Sequence, residues 1–178
     1  MPPSGEQKKA PTGPRQELFT SGIPDLPFAL VPNPIVGWRS RLESFLTKYP
    51  FDKSVFIMIR YRKRNDKVIK SIKNALNREG FFGVLAREHN LTDDLYNAVA
   101  CLLCCSRGIA VFDTPEAQEL FNPNVAYELG MLHLLGRRCL ILKHNSLKTL
   151  QTDILMKLYT QYEETAQVTT IIKDWTRS

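Results

Sequence analysis

The sequence predicts an α/β domain built on a central, mostly parallel β-sheet. Apolar segments of strand length alternate four times with helical segments at short spacing, and this alternation is typical of βαβ units. The first strand segment is a continuous apolar run, as expected for a strand that is covered on both faces. The chain has 178 residues, of which 43% are hydrophobic, so it is long enough for one domain with its own core.

The first 50 residues differ from the rest of the chain. Residues 1–35 hold 8 of the 11 prolines, which excludes long helices and central strands there. Trp38–Tyr49 follows with the apolar spacing of a short helix. We therefore divide the chain into a proline-rich arm with a short helix, residues 1–50, and an α/β domain, residues 51–178. The arm is interpreted as a dock for a sensor protein or as a clamp on the domain edge.

The first half of the α/β domain contains two strands and one helix. The first strand covers Ser54–Tyr61. The helix covers Asp66–Arg78, with apolar residues at helical spacing and lysines opposite, and Gly80 ends it. The second strand is predicted over Phe82–Arg87.

The second helix begins at Thr92 and runs to about Ser106. The third strand covers Gly108–Asp113. The third helix has Asn122 as its cap and Gly136 as its terminator.

The end of the chain is less regular. Cys139–Lys143 is the fourth strand. Thr152–Tyr162 follows a polar loop, and a last helical segment covers Val168–Trp175.

Several enzyme classes are disfavoured because their motifs do not occur. The chain has no Gly-x-Gly-x-x-Gly after the first strand, no P-loop and no Gly-x-Ser-x-Gly. The three histidines lack metal-ligand spacing, so we predict no metal site. Three of the four cysteines lie within residues 101–105, inside an apolar helical pattern. We interpret them as buried structural thiols, which favours a reducing, cytoplasmic setting.

Positive charge is concentrated between residues 60 and 80. This segment contains eight lysines and arginines and two carboxylates, so its net charge of +6 equals that of the whole chain. It is interpreted as a solvated helix face, as a phosphate site near the exit of the first strand, or as a nucleic-acid surface. The nucleic-acid surface is disfavoured because no known recognition pattern accompanies the charge.

A membrane partner is disfavoured because no apolar run approaches the length of a membrane span.

Glu128 is the carboxylate that stands out. It lies in the middle of an otherwise apolar helix and shares a face with Asn124 and Tyr127. The preceding strand ends at Asp113. Ligands of open α/β sheets bind at the carboxyl ends of the strands, so Glu128 is a candidate catalytic residue. The alternative is an exposed or salt-bridged helix residue.

Five short segments of the chain follow one another in a recognisable order, and the most specific of them contains Asn124-Val-Ala-Tyr-Glu-Leu-Gly. Together they resemble the TIR-like nucleotide-binding proteins of bacteria and their relatives, over roughly residues 54–175. The segments are Asp93–Val99, Gly108–Asp113, Phe121–Met131, Cys139–Lys143 and Thr152–Tyr159. Met156 departs from the pattern, because relatives tend to carry glycine there.

The resemblance implies a three-layer, flavodoxin-like (TIR-like) fold with about five strands. It implies an NAD+ glycohydrolase, a defence or signalling effector that cleaves the nicotinamide–ribose bond and is activated by self-association into a homo-oligomer. NAD+ is then the substrate and no cofactor is expected. The family's catalytic glutamate falls on Glu128. Two alternatives stay open: a non-catalytic TIR-like module that binds a nucleotide or assembles, and an enzyme that resembles nucleoside 2-deoxyribosyltransferases.

The remaining candidate residues would bind the substrate. Arg60 and Arg87 lie at predicted strand exits and suit the phosphates of NAD+. Tyr61 or Tyr127 suits stacking on a base or on nicotinamide. Asp113 and Asn124 complete the predicted substrate-binding set. Nicotinamide leaves NAD+ as a neutral molecule, so the pair of carboxylates that most glycosidases use is not needed.

Overall fold

The computed structural model describes residues 35, 37–113, 122–147 and 159–178. Its strands are β1 (Ser54–Ile59), β2 (Phe82–Val84), β3 (Arg107–Phe112), β4 (Arg138–His144) and β5 (Tyr159–Tyr162). Its main helices are α1 (Arg39–Lys48), α2 (Asp66–Arg78), α3 (Asp94–Leu103), α4 (Pro123–Leu134) and α5 (Thr165–Arg177). Strands and helices alternate along the chain, as the sequence predicts.

The five strands form one parallel sheet in the order β2-β1-β3-β4-β5. Val55 pairs with Arg107, and Phe112 pairs with Lys143. The chain moves outward from β1 to β2 and then crosses back to β3, so the direction of winding reverses between β1 and β3. This point at the carboxyl edge is where ligands of such sheets bind. The predicted α/β, flavodoxin-like class is confirmed.

Both faces of the sheet are covered, which explains the continuous apolar pattern of β1. On one face, α2 and α5 pack against each other and against the sheet. On the other face, α1, α3 and α4 share a second core with the sheet. Leu42 and Phe45 of α1 are buried in that core together with Phe56 of β1. Residues 1–34 lie outside the described residues, so the division at residue 50 stays a prediction.

Strand β2 ends at Val84, three residues earlier than predicted. A 3-10 turn over Ala86–Glu88 replaces the rest of the strand, because the side chain of Asn97 holds the chain in a bend. Asn97 Nδ2 donates to the carbonyl oxygens of Ala86 at 2.9 Å and of His89 at 2.7 Å. Its Oδ1 accepts from the backbone N–H of Leu91 at 2.8 Å.

The other differences are in boundaries. Helix α3 begins at Asp94, with Asp93 at the N-cap position, and it ends at Leu103, before the predicted end near Ser106. Helix α5 is longer than predicted because a capping box of Glu164 and Gln167 starts it earlier. Strand β5 comes from a segment to which no strand was assigned. Its central residues Thr160 and Gln161 are polar and exposed, whereas Tyr162 is buried in the core. The start of that segment, residues 152–158, lies outside the described residues.

The predicted helix terminators and buried thiols are confirmed. Gly80 and Gly136 have φ of +78° and +66°, values that favour glycine. Residues 101, 104 and 105 are buried free cysteines, and Cys139 is half-buried. Burial raises the pKa of Cys101, Cys104 and Cys139 to about 12, so these thiols stay protonated.

Within the described ranges, no helix combines the length and apolarity that crossing a membrane requires.

Gly108 sets the distance between β3 and α4. A Cβ atom at this position would overlap with Cδ1 of Leu132 and would lie 2.9 Å from Cε of Met58. The absence of a side chain therefore lets α4 lie directly on the strand. Gly130, on the outer face of the same helix, has no atom within 4 Å of the equivalent position.

The two glycines make a matched pair of substitutions. We expect Gly108→Ala to lower the free energy of unfolding by about 1–3 kcal/mol, because the added methyl group forces the helix away from the strand. We expect Gly130→Ala to raise it by about 0.5–1 kcal/mol, because alanine is the better helix former. Urea unfolding of both variants measures the difference. Equal stability of the two variants would contradict the close packing of α4 on β3.

Candidate functional site

A cavity of about 350 Å³ lies between the carboxyl end of β1 and the first turns of α4. It is therefore at the β1/β3 edge, where the winding of the sheet reverses. Its volume is within the range typical of small-molecule sites. The lining residues are Ile59, Arg60, Tyr61, Asn122, Pro123, Asn124, Val125 and Glu128.

The start of α4 is fixed by its own sequence. Oδ1 of Asn122 accepts a hydrogen bond from the backbone N–H of Asn124 at 3.1 Å, and Pro123 occupies the first helical position. The positive end of the helix dipole then lies at the cavity, where it favours an anionic group. Asn122 is a cavity residue that the sequence identified only as a helix cap.

Glu128 reaches the cavity one turn further along α4. It lies there because Val125, Leu129 and Leu132 on the same helix are buried against the sheet, which fixes the rotation of the helix. The carboxylate is half-buried, and this burial raises its pKa from 4.5 to about 7. Among the described residues, no hydrogen bond or ion pair to the carboxylate compensates for the burial. A carboxyl group with such a pKa can exist in both protonation states near neutral pH.

Tyr61 lies beside Glu128 at the mouth of the cavity. Its side chain is 43% exposed, and its pKa is raised by burial of the hydroxyl and then by the charge of Glu128. The guanidinium of Arg87 lies 4.6 Å from the centre of the Tyr61 ring, and Arg87 Nη2 is 3.9 Å from Oδ1 of Asp66. Arg87 does not itself line the cavity, but it packs on Tyr61, which does.

Asp113 is buried and does not line the cavity. Its Oδ2 accepts a hydrogen bond from Nδ2 of Asn65 at 2.8 Å, and Nη2 of Arg64 lies 3.8 Å away. Nδ2 of Asn65 also donates to the carbonyl oxygen of Arg60 at 2.7 Å. Asp113 and Asn65 thus fix the backbone where Arg60 enters the cavity. The sequence pattern did not single out Asn65, because its importance depends on a contact 48 residues away.

The remaining predicted residues are placed differently. Asn124 lines the cavity with Glu128, as their shared helical face predicts. Tyr127 is 67% exposed and points away from the lining, because consecutive residues on a helix are about 100° apart. Its role in binding stays a prediction. Lys67 and Lys70 of the basic segment are exposed on α2, consistent with a solvated helix face.

Lys143 is a second polar residue that the sequence did not single out. It is buried at the carboxyl end of β4, with 4% of its surface exposed, and its Nζ lies 5.2 Å from the centre of the Tyr159 ring.

In the part of the chain that the structure describes, no group of three or more histidine, cysteine, aspartate or glutamate side chains could hold a metal ion.

Comparison with known proteins finds distant structural similarities. No protein-family description matches the chain, and no curated protein matches it either. Among solved structures, it is similar to a 2-deoxyribosyltransferase from Bacillus psychrosaccharolyticus, with 13% identity, a TM-score of 0.47 and coverage of 65% of this chain and 90% of that one. It is also similar to rubredoxin oxygen:oxidoreductase from Desulfovibrio gigas, with 12% identity, a TM-score of 0.48 and coverage of 78% and 37%. The site is therefore interpreted from its own geometry.

The raised pKa of Glu128 makes stability depend on pH. The folded protein binds this proton more tightly than the unfolded chain, so the carboxyl group costs stability as pH rises from 4.5 to about 7. We expect Glu128→Gln to be more stable than the wild type at pH 8 by about 1–3 kcal/mol. The difference should shrink as pH falls to about 4.5. Urea unfolding across this pH range measures it.

Asp174→Asn is the control for this measurement, because Asp174 is an exposed carboxylate on α5. Its stability relative to the wild type should change little over the same pH range. A Glu128→Gln profile that runs parallel to the wild type would show that the carboxyl group is solvated in the folded protein.

Proposed function

We propose that the protein cleaves the N-glycosidic bond of a nucleotide, with Glu128 as the catalytic residue. The observation that supports this is a single half-buried carboxylate in a cavity at the β1/β3 edge. A carboxylate in such a setting stabilises positive charge on a sugar more strongly than it would in water. The ribose develops a positive charge of this kind in the oxocarbenium-like transition state.

NAD+ is the substrate that best suits one carboxylate. When its C1′–N bond breaks, the electron pair goes to the pyridinium nitrogen and nicotinamide leaves as a neutral molecule. No general acid is required. Water then adds to C1′ and loses its proton to Glu128 or to solvent. Among the described residues that line the cavity, Glu128 is the one carboxylate, and this reaction needs no second.

The other lining residues have matching roles in this proposal. Arg60 and the positive end of α4 bind the phosphates of the substrate. Asn124, one turn before Glu128, forms hydrogen bonds with the ribose hydroxyls. Tyr61 stacks on the nicotinamide ring or on the adenine, and Arg87 supports Tyr61 from its other side. Self-association, a cytoplasmic location and a defence or signalling role belong to the same proposal and follow the TIR-like resemblance.

A deoxyribosyl transfer is the second candidate, and the position of Tyr61 favours it. A neutral nucleobase must be protonated as it leaves. Tyr61 lines the same cavity as Glu128, and the raised pKa of its hydroxyl keeps it protonated near neutral pH. In this candidate reaction it donates that proton to the leaving base. In this reaction Glu128 attacks C1′, and a covalent sugar intermediate passes to a second base. A binding or assembly module without catalysis is the third candidate.

The first test is turnover of NAD+ at high protein concentration, with nicotinamide measured by chromatography. We expect Glu128→Gln to lower kcat/KM at least about 100-fold, a loss typical of removing an electrostatic group from the transition state. Because the reaction needs the carboxylate form, kcat/KM of the wild type should rise with pH and level off above about 7. Asp174→Asn is the matched control and should retain full activity.

Three outcomes would redirect this proposal. Exchange of the base on a deoxynucleoside, abolished in Glu128→Gln, with no nicotinamide released from NAD+, would establish the transferase instead. No turnover of either substrate, with concentration-dependent oligomers that Glu128→Gln leaves unchanged, would establish the assembly module. A rate that falls as pH rises through 7 would show that Glu128 acts as an acid rather than as a carboxylate.

A further inference from the structure

A second concave surface lies between α1 and the loop that follows β2, and it shares no lining residue with the Glu128 cavity. Two cavities adjoin there, of about 420 Å³ and about 240 Å³, and Tyr49, Glu88 and His89 line both. Phe45 lines the larger cavity and Phe82 the smaller one. We refer to the surface formed by Phe45, Tyr49, Phe82 and His89 as the aromatic groove.

The rings of the aromatic groove stand at steep angles to one another. His89 is 5.0 Å from Phe45 at 83° and 5.3 Å from Tyr49 at 68°, between ring centroids. Tyr49 is 5.6 Å from Phe82 at 78°. Phe82, on the edge strand β2, is 39% exposed. Rings at these distances and angles are in edge-to-face contact, so they form one continuous aromatic wall beside the two cavities. Grooves lined by aromatic rings bind proline-rich segments.

Hydrogen-bond donors surround these rings. Helix α1 contributes Ser40, Arg41, Ser44 and Lys48 to the larger cavity. Helix α2 contributes amide groups from Asn74 and Asn77 to the smaller one, along with Lys73, which pairs with Glu88. A polyproline II segment makes no internal hydrogen bonds, so its backbone carbonyl groups need donors of this kind. The surface therefore matches an extended, proline-rich chain in both its apolar and its polar groups.

The chain carries such a segment directly before α1. Residues 24–34 read Pro-Asp-Leu-Pro-Phe-Ala-Leu-Val-Pro-Asn-Pro, with four prolines and one charge, that of Asp25. The acidic charge suits a rim that contains Arg41 and Lys48. Eleven residues in polyproline II conformation span about 34 Å. The ten residues of α1 span about 15 Å. The segment is long enough to turn back at the start of α1 and follow the helix along the aromatic groove.

We propose that the aromatic groove binds residues 24–34 of the same chain. Proline rings occupy the two cavities beside Tyr49 and Phe82, and the serine, arginine and asparagine side chains of the rim donate hydrogen bonds to the carbonyl groups of the segment. Docked in this way, the segment covers the edge of the sheet at β2 and the loop that follows it. This proposal does not rest on the reaction proposed at Glu128.

A labelled peptide of residues 24–34 tests the proposal by fluorescence anisotropy on the full chain. In the wild type the chain's own segment competes with the peptide. A full-chain variant in which Pro24, Pro27, Pro32 and Pro34 are alanine has lost that competitor. We expect this variant to bind the peptide at least about ten-fold more tightly than the wild type, because an attached segment competes at high effective concentration.

A substitution within the groove locates the binding. Ser44 is exposed and lines the larger cavity, whereas Thr47 is exposed on the same helix but does not line it. In the four-alanine background, Ser44→Trp fills the cavity and should abolish peptide binding. Thr47→Trp should leave binding unchanged, and circular dichroism should show the same fold for both variants.

Three outcomes would overturn the proposal. The first is no binding of the peptide to the four-alanine variant. The second is equal binding by the four-alanine variant and the wild type, which would mean that the groove is open and takes a partner from elsewhere. The third is a wild-type dimer that dissociates when the prolines are replaced, which would assign the segment to the groove of a second copy.

Discussion

The contact between α4 and β3 at Gly108 controls the position of the candidate site. With no side chain on Gly108, Leu132 lies directly on the strand, and Val125 and Leu129 follow it into the core. These three apolar contacts leave one rotation for the helix. That rotation places Glu128 at the sheet edge, half-buried, with a pKa of about 7. The ionisation of the carboxyl group is thus a consequence of how closely a helix packs on a strand.

Asp113 and Glu128 show how differently two carboxyl groups at one sheet edge can be used. Asp113 is buried but accepts a hydrogen bond from Asn65, and two arginines lie within 4 Å of it. Its charge is compensated, and it holds the backbone of Arg60 in place through Asn65. Glu128 is half-buried, and no described residue compensates its charge in this way. Asp113 therefore has a structural role. Burial of the Glu128 carboxylate costs free energy of desolvation, and binding of a cationic or polar substrate can recover part of that cost.

The loop after β2 links the two surfaces of the molecule. Asn97 holds its bend through hydrogen bonds to Ala86, His89 and Leu91. One end of the bend places Arg87 on the ring of Tyr61 at the cavity. The other end contributes His89 to the aromatic groove. A segment bound in that groove would therefore contact the same loop that supports Tyr61.

The sequence by itself determined the alternation of strands and helices, the terminators Gly80 and Gly136, and the burial of Cys101, because these depend on local periodicity and backbone preference. It also singled out Glu128, since a carboxylate in an apolar helix is visible without coordinates. Only the tertiary structure decided which polar residues surround it. Asn65 meets Asp113 across 48 positions of sequence, and such a contact leaves no local pattern. Strand β5 likewise has exposed polar residues at its centre, and it becomes a strand by pairing with β4 and by burying Tyr162 in the core. Both the pairing strand and the core come from elements distant in the sequence, so no local pattern shows them.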